Sequence, residues 1–346
     1  MYLAFYGLLE RPFQLTPNPR FLFLNPRHRE ALATLRYGLS SSLGITLLLG
    51  EAGTGKTTLL RAALHAERRP DHRHVVLSNP TLAPADFYEM LADRFGFTDA
   101  HGSKGRFLLD FERDLVARHE AGGLTALVID EAQSLTHELF EEIRLLANLE
   151  TPTAKLVNVV LVGQPELAAR LNDPSLRQLK QRVVLRCSLA PLDLSSTASY
   201  VAARLRVAGG SPLDVFTKDA VVAVYEASRG IPRTIGVICE NALLAGFAAQ
   251  KKPIDGSIVA DVCRGLDVPA NGRTLHADDV LPDEDAAQPP RKAAVPDRAA
   301  TEEPRPRRGT FNFRMPSRTT EAPAEPADED TESPVADDRS RMFRFF

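Results

Sequence analysis

Along the first half of the chain, short runs of apolar residues alternate with stretches in which apolar positions recur every three or four residues. The runs occupy 45–49, 74–77, 126–129, 157–162 and 183–187. All five read as strands, and 45–49, 126–129 and 157–162 as buried ones. The helical period fills the gaps, at 57–67, 83–95, 105–120 and 137–148. This alternation predicts an α/β fold, a parallel sheet with helices on both faces, ending near Pro191.

From about residue 192 to 266 no strand pattern recurs, and a small all-α domain is expected. Ser195 or Ser196 is placed to cap a helix reaching Arg206, and Thr217 to cap a second that ends at Gly230. Pro232 opens a third helix, where proline is favoured, and Ser257 a fourth. Residues 267–346 change character. They hold 11 prolines, 12 Lys+Arg and 17 Asp+Glu, with little apolar surface to offset the entropy of ordering. A disordered acidic tail is expected, ending in Arg341-Met342-Phe343-Arg344-Phe345-Phe346. The aromatic side chains Phe343, Phe345 and Phe346 suit a docking peptide.

The tail's charge alters the reading of the whole. Net charge is −3 overall, but the first 266 residues hold 30 basic and 28 acidic side chains, so the part expected to fold is nearly neutral. Global electrostatics therefore give no case for nucleic-acid binding. The three cysteines, Cys187, Cys239 and Cys263, form no CxxC pair and read as free thiols in a reducing compartment. His72 and His74 lie in a charged stretch without further ligands and read as a solvated loop rather than a metal site. No apolar run is long enough to span a bilayer, and the N-terminus lacks a signal-peptide pattern, so a cytoplasmic location is expected.

Chemistry concentrates at the strand ends. Gly50-Glu51-Ala52-Gly53-Thr54-Gly55-Lys56-Thr57, followed by Thr58, matches the phosphate-loop pattern and sits between a strand and a helix. Its glycines let backbone N–H groups turn towards phosphate oxygens, and the helix N-terminus adds partial positive charge. Lys56 is placed to reach the β- and γ-phosphates of ATP, and the Thr57 hydroxyl to ligate Mg²⁺. The strand 126–129 ends in Asp130-Glu131. Asp130 is expected to hold the Mg²⁺, and Glu131 to act as general base towards the attacking water. Gln164 ends the strand 157–162. It suits either a contact to the γ-phosphate or lytic water, or a turn made by Gly163 and Pro165. Arg182, with Arg177 nearby, and Arg233 at a helix start are candidates to stabilise charge on the γ-phosphoryl group.

Taken in order, the phosphate loop, Ile129-Asp130-Glu131-Ala132-Gln133, Val162-Gly163-Gln164-Pro165-Glu166-Leu167 and Gly230-Ile231-Pro232-Arg233 resemble AAA+ ATPases of the general secretion pathway protein A type. The lead-in adds to the likeness through Tyr6-Gly7-Leu8, Pro12-Phe13, Pro17-Asn18-Pro19 and His28-Arg29-Glu30-Ala31-Leu32 to Tyr37-Gly38-Leu39. The resemblance covers residues 1–266 and implies a P-loop NTPase domain over 1–191 with a helical lid over 192–266. It implies that Gln164 fills the first sensor slot, where many relatives carry Asn or Thr. It also implies that Arg233 is the second sensor, that Arg182 is an arginine finger acting on a neighbouring subunit in a ring or other oligomer, and that His28 packs near the adenine. Relatives acting in secretion often continue into a membrane helix and a peptidoglycan-binding domain, and residues 267–346 show neither. Any role at the inner membrane in secretion, pilus assembly or exopolysaccharide export is then expected to run through a partner. Similar ATPases assist DNA transposition, which is the alternative reading.

Overall fold

The computed structural model describes residues 1–14, 18–78, 81–97 and 102–267. The aromatic end, Phe343, Phe345 and Phe346, lies outside the described residues. In chain order the elements are α1 (Tyr2–Tyr6), α2 (Pro26–Ser40), β1 (Ile45–Gly50), α3 (Lys56–Ala66), β2 (Arg73–Ser78), α4 (Pro84–Phe95), α5 (Lys104–Glu120), β3 (Thr125–Asp130), α6 (His137–Leu146), β4 (Val157–Gly163), α7 (Pro165–Arg170), α8 (Arg177–Lys180) and β5 (Val183–Leu189). The helical region follows as α9 (Leu194–Val207), α10 (Pro212–Val215), α11 (Lys218–Ser228), α12 (Pro232–Ala248) and α13 (Gly256–Gly265).

The five strands form one parallel sheet in the order β2-β3-β4-β1-β5. Side chains alternate between its faces, and each face has its own core. Ile45, Leu47, Leu49, Leu127, Ile129, Val159 and Leu161 pack with α4, α5 and α6. Leu48, Ala126, Val128, Val160 and Val162 pack with Leu35 and Leu39 of α2 and Leu59 and Leu60 of α3. Burial on both sides is why these strands lack polar alternation. After β1 the chain travels to the far edge, returns through β3 and β4 beside β1, then crosses to β5. The carboxyl ends of β1, β3 and β4 meet where that order switches, the place where open α/β sheets bind ligands.

A third core belongs to the helical region. The lead-in joins it: Tyr2, Tyr6, Leu8, Phe13 and Phe21 pack with Leu205, Phe216, Ile235, Ile238 and Leu243. Sequence order groups residues 1–191 with the sheet, but these five side chains of the lead-in are buried among the helices. Polar ties fix them there. The Tyr2 hydroxyl donates to Glu240 Oε1 at 2.6 Å, and the Tyr6 hydroxyl to the Lys251 carbonyl at 3.1 Å.

The helix starts shift slightly from the serines named above. Asp193 caps α9, its Oδ1 accepting from Ser196 N–H at 2.7 Å. Asp255 caps α13, accepting from Ile258 N–H at 3.2 Å. A carboxylate at the N-cap accepts those N–H bonds and also faces the positive end of the helix dipole. Thr217 caps α11 as expected from the sequence.

One glycine secures the join between sheet and helices. Gly230 has φ 72°, and a Cβ there would lie 1.8 Å from the Leu192 carbonyl oxygen. Gly230→Ala is therefore expected to cost about 1–3 kcal/mol in backbone strain alone. Urea unfolding should show a lower midpoint with an unchanged slope, and a wild-type midpoint would contradict this account.

Candidate functional site

The phosphate loop is shaped by backbone freedom and by its own hydrogen bonds. Gly53 and Gly55 have φ 82° and 98°, the left-handed region that a side chain disfavours. Buried Thr54 donates through Oγ1 to the Glu51 carbonyl at 2.8 Å, closing the turn. Lys56 Nζ donates to the Gly50 carbonyl at 2.8 Å and to the Glu51 carbonyl at 3.0 Å. An ammonium has three donors, so one remains to be offered to a ligand oxygen. Burial lowers the Lys56 pKa, while Glu131, Asp130 and Glu166 act in the opposite sense.

Two adjacent carboxylates, Asp130 ending β3 and Glu131 just after it, face this loop. Thr57 Oγ1 donates to Asp130 Oδ2 at 2.9 Å, which joins the first turn of α3 to the end of β3. The other Asp130 oxygen accepts the Glu131 N–H at 3.0 Å. Glu131 itself has φ 55°, a backbone conformation uncommon for a residue with a side chain. Gln133 Nε2 donates to Glu131 Oε2 at 2.6 Å, and Gln164 Nε2 approaches the same oxygen at 3.5 Å. Gln164 also begins α7 with Pro165 in the first turn, so the turn and the carboxylate contact are combined in one residue. Gln133 follows Glu131 by two residues, and only the folded arrangement reveals the contact between their side chains.

The helical region closes the site. The Arg233 N–H donates to the Gly53 carbonyl at 3.2 Å, docking the start of α12 onto the phosphate loop. Together Ala52, Gly53, Lys56, Thr57, Glu131 and Arg233 line a cavity of about 400 Å³. A smaller space of about 90 Å³ adjoins it, lined by Phe21, His28, Leu59, Leu192, Tyr200 and Pro232 among others. Thr58 and Arg204 line both. Arg204 was not singled out by sequence. Its guanidinium lies over the rings of Phe21 and Tyr200, at 5.3 and 5.1 Å, and donates to the Pro12 carbonyl at 3.1 Å. His28 is buried; its Nδ1 lies 2.6 Å from Asn25 Oδ1, and burial lowers its pKa against a contact with the Thr54 backbone.

Arg182 stands apart from this cluster. It precedes β5, and its carbonyl accepts from Ile45 N–H at the start of β1, the end of the sheet opposite the phosphate loop. Its side chain donates to Asn148 Oδ1 at 2.5 Å and to the Gln178 carbonyl at 2.8 Å. Arg177 is exposed at the start of α8.

His74 is a strand residue of β2 rather than part of a solvated loop. It is half-buried, and burial lowers its pKa. No group of three or more His, Cys, Asp or Glu suited to a metal ion occurs among the described residues. Cys239 and Cys263 are buried free thiols, and burial pushes the half-buried Cys187 up to about 12. No helix of the described residues is long and apolar enough to cross a membrane.

Comparison with known proteins gives this geometry its context. Residues 39–171 match the AAA domain family, a span holding the phosphate loop, Asp130, Glu131 and Gln164. Over 261 residues the chain is 42% identical to the general secretion pathway protein A of Aeromonas hydrophila. That alignment takes in 75% of this chain and 47% of the relative, so the chain spans about half the relative's length. Among solved structures, Cdc6p from Pyrobaculum aerophilum matches with a TM-score of 0.57 at 20% identity, over 73% of this chain and 70% of that one. The Aeropyrum pernix ORC2 protein in its ADPNP-ADP complexes matches with a TM-score of 0.54 at 14% identity, over 74% and 71%. At these identities the likeness is one of fold.

Proposed function

Because the chain belongs to the AAA+ ATPases of the general secretion pathway protein A type, we propose that it binds ATP in the cavity between sheet and helical region and hydrolyses it. The observation that carries this reading is the convergence of Lys56, Thr57, Glu131 and Arg233 on one cavity floored by the phosphate loop. The triphosphate lies along the loop N–H groups and the start of α3. The base lies in the adjoining apolar space beside His28, Tyr200 and Pro232.

Thr57 and Asp130 supply adjoining hard oxygen donors, 2.9 Å apart, which suit Mg²⁺. When bound, that ion neutralises charge on the β- and γ-phosphates. Glu131 takes a proton from the attacking water as its oxygen bonds to the γ-phosphorus. The bond from that phosphorus to the bridging oxygen breaks, and ADP leaves. Lys56 and Arg233 offset the negative charge on the phosphoryl oxygens.

Arg182, or Arg177 beside it, serves a neighbouring copy. β1 is 6 residues long, so Arg182 sits about 20 Å of strand away from its own phosphate loop. The active form is then an oligomer. The energy of the cycle drives or times an envelope process, such as secretion, pilus assembly or polysaccharide export. Any membrane association is made through a partner.

Purified protein given Mg-ATP is expected to release phosphate, with a rate per subunit that rises with protein concentration. Absence of nucleotide binding would refute the reading of the cavity. A rate per subunit independent of concentration, down to dilutions at which sedimentation shows only monomers, would refute the shared site.

A further inference from the structure

A general base works well only if a third group fixes its orientation. Glu131 has such a group. Gln133 Nε2 donates to Glu131 Oε2 at 2.6 Å, while Gln133 Oε1 accepts the Gln164 backbone N–H at 3.1 Å. The second bond settles which way the amide points, since only its oxygen can accept from an N–H. Gln133 is thus a bridge from the end of β4 to the catalytic carboxylate.

The bridge is itself held. Arg170 of α7 donates through one terminal nitrogen to the Gln133 carbonyl at 2.6 Å and the Leu135 carbonyl at 2.5 Å. Its guanidinium lies over the Phe140 ring at 4.9 Å. There is also no spare room at the β4 end, where a Cβ on Gly163 would come 2.9 Å from Gln133 Oε1. Gln133 therefore has fixed contacts at its backbone, its carbonyl oxygen and its amide nitrogen.

We propose that Gln133 is the positioning residue of the hydrolytic reaction. It holds Glu131 Oε2 from behind and leaves Oε1 to face the cavity and take the proton of the attacking water. Gln133 acts through the base and does not touch nucleotide. This rests on the reading of Glu131 as the base.

The two halves of the amide have separate tasks, which makes the idea testable. Gln133→Glu keeps an oxygen to accept the Gln164 N–H but replaces the donor to Glu131 with a like charge. Gln133→Ala removes both. In Gln133→Glu, kcat is expected to fall at least about tenfold, within the span general-base catalysis covers, with KM and the Kd for ATP unchanged. Gln133→Ala is expected to lose a similar factor. In a Glu131→Gln background, neither change should lower the residual rate further, since the group being positioned no longer acts.

Wild-type kcat in Gln133→Glu, alongside an inactive Glu131→Gln protein, would overturn the positioning role and leave the base in place. So would an equal further loss in the Glu131→Gln background, because a merely structural role produces that. Full turnover by Glu131→Gln alone would remove the base itself, and the proposal with it.

Discussion

Glu131→Gln is expected to bind ATP as tightly as the wild type while turning it over about 10²–10⁴-fold more slowly. The substitution is nearly isosteric. It leaves untouched the Thr57–Asp130 hydrogen bond and the Lys56 contacts with the Gly50 and Glu51 carbonyls, which organise the phosphate-binding side. What disappears is a carboxylate able to accept a proton. Glu131 is also one of the charges that raises the pKa of buried Lys56. Asp130 and Glu166 remain to do so. Measuring fluorescent-nucleotide affinity alongside single-turnover phosphate release separates the two effects. Slow release with intact affinity supports the base, whereas unchanged release would end that assignment.

Strand placement was legible in the sequence because each of the central strands is buried on both faces. Val157–Gly163 and Thr125–Asp130 are buried throughout, so their runs are apolar and stand out. The residues at the strand ends were equally legible, since polar groups that abruptly follow a buried strand need a reason. The Lys56, Thr57, Asp130 and Glu131 cluster follows from that logic once β1 and β3 lie in one parallel sheet.

Contacts between distant segments were hidden. Gln133 and the Gln164 N–H are 31 residues apart, and nothing in local pattern ties an amide in one turn to a backbone donor in another. Tyr200 and Arg204 are spaced as neighbours on any helix face, and only the seating of Phe21 against them turns that face into a cavity wall. The lead-in misleads for a related reason. Tyr2 and Tyr6 precede the sheet in sequence, yet their rings are buried with α12, over 230 residues later, with hydroxyls bonded to Glu240 and Lys251. Sequence order is a poor guide where a terminal segment completes the core of a region at the other end of the fold.

Arg233→Ala is the change expected to uncouple nucleotide binding from its consequences. The docking of α12 on the phosphate loop uses the Arg233 backbone N–H, bonded to the Gly53 carbonyl at 3.2 Å, and this bond survives loss of the side chain. The tight fit also survives, because Gly53 has no Cβ to collide with the Cβ of residue 233 or with Ile231. Only the guanidinium is removed from the cavity wall. Its place at the start of a 17-residue helix without acidic first-turn partners runs against the helix dipole, which an anionic ligand would offset. Loss of an arginine that stabilises the transferring phosphoryl group costs about 10³–10⁵ in kcat. A fall of that order is expected, with the melting temperature of the ligand-free protein unchanged. If Arg233 is the group that senses the γ-phosphate from the helical side, as proposed, the variant should also respond alike to ATP and ADP in limited proteolysis. Retention of both the rate and the ATP-specific proteolytic pattern would place the second sensor elsewhere, with Arg204 the next cation along the same wall.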